Sequence, residues 1–277
     1  VMQEAIYLAS PVLYEALQKN KPDEKLIASL MKYLQRAATR CTPFALFAAC
    51  AVVETGERTK PEVLFFKEKR HTRPDMNYLC ALAQHVAANP AIRGKLTYFP
   101  NTSIYKAGDK IRYTEYSYIG AMRQHQLTNV DQSLYLDIVL RAAATGKKTD
   151  ALVALLVSDD VSAEEAATFI NELIDAQLLV SNLDAPVTGP EFLDQFIDEL
   201  NLLNGPEAAA TNAILKQSRQ ELSAIDSLPP GSDITRYRNI GENLKQLGVT
   251  FDWKFLFQTD MFRETNMKAE KKLAQDL

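Results

Sequence analysis

Lys32-Tyr33-Leu34-Gln35-Arg36-Ala37-Ala38-Thr39-Arg40-Cys41-Thr42-Pro43-Phe44-Ala45-Leu46-Phe47 begins as a helix and is stopped by a proline. Apolar residues recur at Leu26, Ile27, Leu30, Met31, Leu34 and Ala38, the spacing of one buried helical face. Lys32, Arg36 and Arg40 follow at four-residue intervals and stack along the other side. Like charges at that spacing cost a helix roughly 0.2–0.5 kcal/mol per pair, so stability alone would favour an acid among them. Pro43 lacks an amide hydrogen and biases Thr42 away from helical angles, which predicts a helix end near Cys41. Two guanidinium groups and a hydroxyl then gather at one helix end, ahead of an apolar run from Phe44 to Val53. On local physics this is either a solvated basic face closing in a turn or a grip for an anion.

Charge along the chain points the same way. Net charge is −4 over 277 residues, but Lys19 to Arg73 holds 12 Lys and Arg against 6 Asp and Glu. From Asp159 to Glu207 there are 12 acidic residues and no Lys, Arg or His. The first segment suits phosphates and the second does not, which implies different partners for different faces. Hydrophobic residues at 47% and charged ones at 24% describe a soluble globular protein of one or two domains. No apolar run approaches the ~18 residues of a membrane span, and Val1 to Tyr7 does not read as a signal peptide. Cys41, Cys50 and Cys80 lack a pairing pattern, which favours reduced thiols in a cytoplasm; with three scattered histidines they give no metal-ligand spacing. Both ends read as cut: Lys268 to Leu277 has the pattern of an amphipathic helix stopped short, so a fragment of a longer chain is expected.

In chain order, residues 3–18 read as a short strand turning into a helix at Ser10-Pro11. Asn20-Lys21-Pro22 breaks the chain before the basic helix, whose first turn holds Asp23 and Glu24. Phe44–Val53 fits a buried strand pair, and Val63-Leu64-Phe65-Phe66 a short strand before the basic cluster Lys67 to Arg73. Asp75 stands at an N-cap position ahead of a helix carrying Met76, Leu79, Leu82, Ala83 and Val86. Ile104–Lys106, Ile111–Tyr118 and Met122–Leu127 read as a β-meander with turns at Gly108-Asp109 and Gly120. Helices follow at Gln132–Ala144, Thr149–Val157 and Ser162–Ala176, the last opened by a Ser162/Glu165 capping box, and Leu178 to Val180 returns as a strand. Past a linker at Asp184 to Pro190, helices are expected at Glu191–Leu203, Pro206–Ala224 and Ile234–Leu247, then a strand pattern from Trp253 to Asp260.

Three strands, three helices and a return strand outline a winged helix, a fold that can read DNA. Helix 162–176 carries Glu164, Glu165, Glu172 and Asp175 and no basic residue, so a duplex groove repels it. The fold class expected is α+β, mainly helical with small antiparallel sheets and a winged-helix-like subdomain.

Arg36-x-x-x-Arg40-x-Thr42-Pro43-Phe44-x-x-Phe47 resembles the motif near the amino end of lantibiotic dehydratases, the class I lanthipeptide enzymes. Arg73-x-Asp75 at a helix start resembles a second pattern of that family, and weaker likeness extends over nearly the whole chain. The resemblance implies that Arg36, Arg40, Thr42 and Asp75 belong to a site transferring glutamate from glutamyl-tRNA, as co-substrate, to Ser and Thr side chains of a ribosomally made precursor peptide. No cofactor is implied. It also implies a winged-helix subdomain to which the leader of that peptide adds as an extra strand; Arg123, His125, Phe169 and Leu173 are its expected contacts. Domains of 1–102, 103–183 and 184–277 follow: the basic part of a glutamylation domain, the leader-recognition subdomain, and a helical continuation. Elimination of glutamate to dehydroamino acids is expected of a domain outside this sequence. Partners implied are the precursor peptide, charged tRNA, a cyclase and a second copy, but not DNA, in a cytoplasmic setting with any membrane association through partners.

Two departures stand out. The family usually has glycine where this chain has Ala45, and an arginine where it has Ala9 and Ser10. Either another cation replaces that arginine or the activity differs. The competing readings are a peptide-binding scaffold without chemistry and, behind it, a winged-helix DNA-binding protein.

Overall fold

The computed structural model describes residues 1–19, 23–60, 68–120, 122–231 and 233–272. In order these form α1 (Met2–Ala9), α2 (Pro11–Lys19), α3 (Glu24–Thr39), β1 (Ala45–Cys50), β2 (Glu54–Gly56), β3 (Glu68–Pro74), α4 (Met76–Ala88), α5 (Pro90–Arg93) and β4 (Thr97–Pro100). Next come β5 (Tyr105–Ala107), β6 (Lys110–Ile119), β7 (Met122–Asp131), α6 (Leu134–Ala143), β8 (Lys147–Lys148), α7 (Thr149–Ala154), α8 (Ala163–Asp175) and β9 (Leu179–Ser181). The chain closes with α9 (Phe192–Leu202), α10 (Pro206–Asp226), α11 (Thr235–Lys245), a 3₁₀ turn at Trp253–Phe255, β10 (Phe257–Arg263) and β11 (Lys268–Glu270). Mixed helix and small sheets make this an α+β fold. The strand expected at Val63–Phe66 and the break at Asn20–Pro22 lie outside the described residues, as does the second half of the helix expected at the carboxyl end.

Two compact units divide the chain, one built from 1–75, 217–245 and 252–277 and the other from 76–216 and 246–251. In the first, β10 is the central strand, parallel to β1 and antiparallel to β3. A parallel pair needs a long crossover, and about two hundred residues separate these two strands in sequence. A buried polar knot anchors this unit. Arg70 is sealed from solvent and bonded to Glu4, to the Ile225 carbonyl and to Asp226, at 3.2 Å from the latter. Glu4 also accepts from the Tyr237 hydroxyl at 2.9 Å and the Gly231 amide at 2.6 Å. A buried guanidinium survives only with its donors matched in this way.

Several expectations for this unit change. Residues 3–18 form two helices rather than a strand and a helix: Pro11 is the first residue of α2, where its missing N–H costs nothing. The apolar face read on α3 is not buried. Only Leu26 is, whereas Ile27, Met31 and Leu34 lie open to solvent. β1 is half-buried along its length, and Val52 beyond it is exposed. Lys268–Glu270 is a strand paired with β2, not a helix.

The second unit carries two three-stranded antiparallel sheets, β8-β4-β9 and β5-β6-β7, with α6, α7 and α8 between β7 and β9 in sequence. Leu79, Leu82, Tyr98, Val139, Leu152 and Ile170 are core residues of this unit. Both sides of the Ser162/Glu165 capping box are made. α8 then ends on Gln177, whose φ of 57° places a non-glycine residue in the left-handed region. Leu178 N–H reaches the Leu173 carbonyl and Gln177 N–H the Ile174 carbonyl, a Schellman closure in which glycine is the usual residue. The side chain explains the choice. The Gln177 amide accepts from Tyr116 N–H at 2.9 Å and donates to the Tyr116 carbonyl at 2.8 Å, standing in for a strand at the edge of β6.

Candidate functional site

Asp23 opens α3, its carboxylate accepting from Leu26 N–H at 2.7 Å. The helix runs to Thr39, and Arg40 is its C-cap in extended conformation, one residue earlier than Pro43 alone predicts. Steps of seven, four and four residues deliver Lys25, Lys32, Arg36 and Arg40 to the wall of one cleft, about 1020 Å³ in volume, whose other side is Ser10 and the α2 residue Leu13. α3 therefore turns its charged face inward onto this cleft. None of the four cations has an ion-pair partner among the described residues. Asp23 also lines the cleft, but its carboxylate is engaged at the helix start.

Aromatic rings organise the mouth. The Arg36 guanidinium carbon lies 4.1 Å from the centre of the Phe44 ring. Phe44 stacks on Phe47 at 5.9 Å and 21°, and Phe47 on Tyr33 at 5.4 Å and 23°. Arg36 Nε is buried without a hydrogen-bond partner. A guanidinium braced on a ring, with donors unused, is prepared for a carboxylate, phosphate or oxyanion. Phe44 reaches this place because Ala45 after it has a φ of 43°. This is the position at which the resemblance leads one to expect glycine, and the residue present adopts a glycine-like backbone.

Of the sequence-predicted residues, Arg36 and Arg40 share the cleft. Thr42 sits in the exposed turn beyond α3 and is not among the lining residues. Asp75 precedes α4, with its own N–H donating to the Leu256 carbonyl at 2.8 Å. The arginine two residues before it is held by a carboxylate distant in sequence: Arg73 pairs with Asp260 at 3.1 Å. Asp260, in the central strand, is the register partner of both Ala45 and His71. Sequence reasoning left Asp260 without a role because its partners lie about 190 and 215 residues away. Lys25 also went unremarked, although its seven-residue step to Lys32 repeats the helical period.

In the second unit, Arg123 and His125 come together around Tyr116. The guanidinium stands 3.5 Å from the ring centre and the imidazole 6.1 Å away. The Tyr116 hydroxyl is 3.3 Å from Asp184, whose carboxyl burial holds above its ordinary pKa against the opposing pull of hydrogen bonds and Arg123. Phe169 is half-buried on α8, and Leu173 is a core residue.

Backbone direction in this sheet follows from its neighbours. Tyr116 spends its N–H and carbonyl on Gln177, and Thr114 spends its own on Ser103 and Asn101. Antiparallel pairs alternate, so their partners His125 and Leu127 also point their backbone groups away from the β6–β7 ladder. Arg123 and Asn129 share that parity. β7 therefore presents a row of outward N–H and carbonyl groups along a largely exposed edge, while side chains already occupy the opposite edge of β6.

Among the described residues, no group of three or more His, Cys, Asp or Glu could hold a metal ion, and no helix is long and apolar enough to cross a membrane.

Comparison with known proteins covers the whole chain. The family model "Lantibiotic dehydratase, N terminus" matches residues 1–277. The chain is 23% identical over 259 residues to the epidermin biosynthesis protein EpiB of Staphylococcus epidermidis, covering 90% of this chain and 26% of that protein. It is 22% identical over 287 residues to the nisin biosynthesis protein NisB of Lactococcus lactis subsp. lactis, covering 100% and 28%. The chain thus spans about a quarter of the length of these relatives. Its fold matches the tRNA-dependent lantibiotic dehydratase MibB from Microbispora sp. 107891, with a TM-score of 0.77 and 18% identity over 99% of this chain and 28% of that one. The TbtB glutamylation domain from thiomuracin biosynthesis follows at a TM-score of 0.56 and 20% identity, over 98% of this chain and 33% of that one.

Proposed function

The chain belongs to the lantibiotic dehydratase N-terminal family, and from that premise we propose that it supplies the cationic wall of a peptide glutamylation site. In this reading the glutamyl ester of a charged tRNA is attacked by a Ser or Thr hydroxyl of a precursor peptide. A new ester forms at the side-chain oxygen, the ester bond to the ribose breaks, and the hydroxyl proton ends on the departing ribose oxygen. The tRNA ester is already activated, so no enzyme nucleophile is needed.

Arg36 and Arg40 hold the anionic reactant, either a tRNA phosphate or the carboxylate of the glutamyl group, and place it for attack. Lys25 and Lys32 add charge across from Ser10, where the resemblance leads one to expect an arginine. Thr42 orients the acyl group or the incoming hydroxyl as the chain leaves the helix, and Asp75 positions an arginine. The supporting observation is that two guanidiniums share one cleft with no carboxylate among the described residues neutralising either. The test is glutamate incorporation into the precursor peptide from charged tRNA by the longer polypeptide carrying Arg40→Ala. A fall of about 10²-fold or more is expected for loss of a charged donor at the reacting centre; undiminished incorporation removes the cleft from the mechanism.

The leader of the precursor adds to β7 as a further antiparallel strand, gaining backbone bonds from Arg123, His125, Leu127 and Asn129. α6 to α8 with β8 and β9 form the rest of a winged-helix-like recognition segment of 103–183. A scaffold that binds peptide without chemistry is the second reading, favoured by Ser10, whose hydroxyl accepts from Leu13 N–H at 3.4 Å instead of presenting a cation. Peptide binding retained alongside an inert Arg40 would select it.

A further inference from the structure

The outer edge of β6, on the side away from β7, is closed mostly by side chains. Arg112 is the register partner of Tyr105 in β5, a strand of three residues that goes no further along β6. Thr114 N–H then donates to Ser103 Oγ at 2.8 Å, and its carbonyl accepts from Asn101 Nδ2 at 3.0 Å. Tyr116 gives both backbone groups to the Gln177 amide, at 2.9 and 2.8 Å. Asn101 lies 13 residues from Thr114, whereas Gln177 comes from 61 residues away. Asn101 Nδ2 also donates to the Gln177 carbonyl at 2.9 Å, so the distant cap is itself held. A primary amide repeats the donor and acceptor of a peptide group, which no hydroxyl or charged side chain does. Glycine would suit the φ of 57° at this position without strain, but it carries no amide.

We propose that Gln177 is a positioning residue for peptide docking: it closes the outer edge of β6 to any added strand and leaves β7 as the long edge that a leader can extend. An open strand edge pairs with whatever strand arrives. Backbone bonds supply affinity without reading sequence, so they cannot tell one edge from another. With β6 open beyond β5, an incoming peptide would have two positions on opposite sides of the same sheet. Gln177 removes one of them by putting a side-chain amide where that peptide's backbone would bond. The same residue ends α8, so the cap also fixes the end of that helix against the sheet.

The inference rests on strand addition at β7 as read above. Its test uses two variants of the longer polypeptide. Gln177→Gly relieves the backbone and removes the amide; Gln177→Asn keeps a residue that accepts the left-handed region but shortens the amide by one methylene. Hydrogen exchange at the Tyr116 amide should be about tenfold faster in both. The Ser117 amide, which points into the β6–β7 ladder, should be unchanged. Both variants should also take a second labelled leader peptide per chain, or pair with a second copy at concentrations where the parent does not. Unchanged exchange at Tyr116 overturns the cap. Faster exchange with no added strand of either kind overturns its role in choosing the edge. Docking at β7 is read separately, from the exchange of the His125 amide in the parent with and without leader, so that reading can fail while the cap stands.

Discussion

Ala45 and Asp260 are register partners across the parallel pair β1 and β10, and each is bent to a task on its own side. Ala45 takes a φ of 43°, which turns Phe44 toward Arg36, while Asp260 receives Arg73. An L-residue in the left-handed region costs about 1–2 kcal/mol that glycine does not pay. Ala45→Gly relieves this while loosening the unfolded chain by about 0.4–1 kcal/mol. The expected net is a stabilisation of about 0.5–1 kcal/mol, read as a higher urea midpoint with unchanged slope. Destabilisation by Gly would show that the methyl group packs well enough to outweigh the strain.

Phe44 braces the Arg36 guanidinium. Phe44→Leu keeps apolar bulk but removes the ring face, forfeiting a cation–π contact of about 0.5–1 kcal/mol at an accessible site. Glutamate incorporation should fall severalfold, while Phe44→Tyr restores it. Equal losses in Leu and Tyr would assign the effect to packing.

The parity of β7 makes a matched pair of proline variants informative. His125 N–H points to the open edge, so His125→Pro removes a docking donor and spares the β6–β7 ladder. Gln126 N–H points into the ladder, so Gln126→Pro breaks it. His125→Pro should weaken leader-peptide binding about tenfold or more, the loss of one or two backbone bonds, with a small change in melting temperature. Gln126→Pro should unfold the hairpin, seen in the melting curve itself. Unchanged peptide affinity in His125→Pro would remove β7 as the docking strand.

Desolvation by its neighbours raises the Asp184 carboxyl above its ordinary value, although the residue keeps an exposed surface, which makes the effect on stability small. The folded state thus favours the protonated form. Stability from this group is fully present below about pH 3.9, the ordinary aspartate value, and is lost as pH rises through the folded value. Asp184→Asn stays neutral and can still accept from Ser181 N–H, which lies 3.1 Å from the carboxylate. Relative to the parent, the variant should gain stability between pH 4 and pH 7 in urea titrations. A constant difference across that range would place the carboxylate in a compensated ion pair instead.

Local signals in the sequence carried most of the elements. The Ser162/Glu165 box, the Gly108-Asp109 turn and Pro43 each act within a few residues and work in the structure as chemistry predicts, while Asp23, expected in the first turn of α3, caps it instead. The cationic spacing on α3 was legible for the same reason. Which way that helix faces was not: an amphipathic pattern says that two faces differ, and tertiary packing decides which one turns inward. Here the charged face lines a cleft and the apolar one is bare. Arg73 with Asp260 and Arg70 with Glu4 and Asp226 were equally out of reach, because no local rule pairs residues 66 to 187 positions apart.

The central position of β10 sets a timetable for the nascent chain. β1 and β3 have left the ribosome soon after residue 74 is made, but the strand that joins them follows only from residue 257. Until then two sheet edges wait unpaired, and the Arg73 carboxylate partner has not been made. The sheet that the basic helix packs against is therefore begun early and completed late.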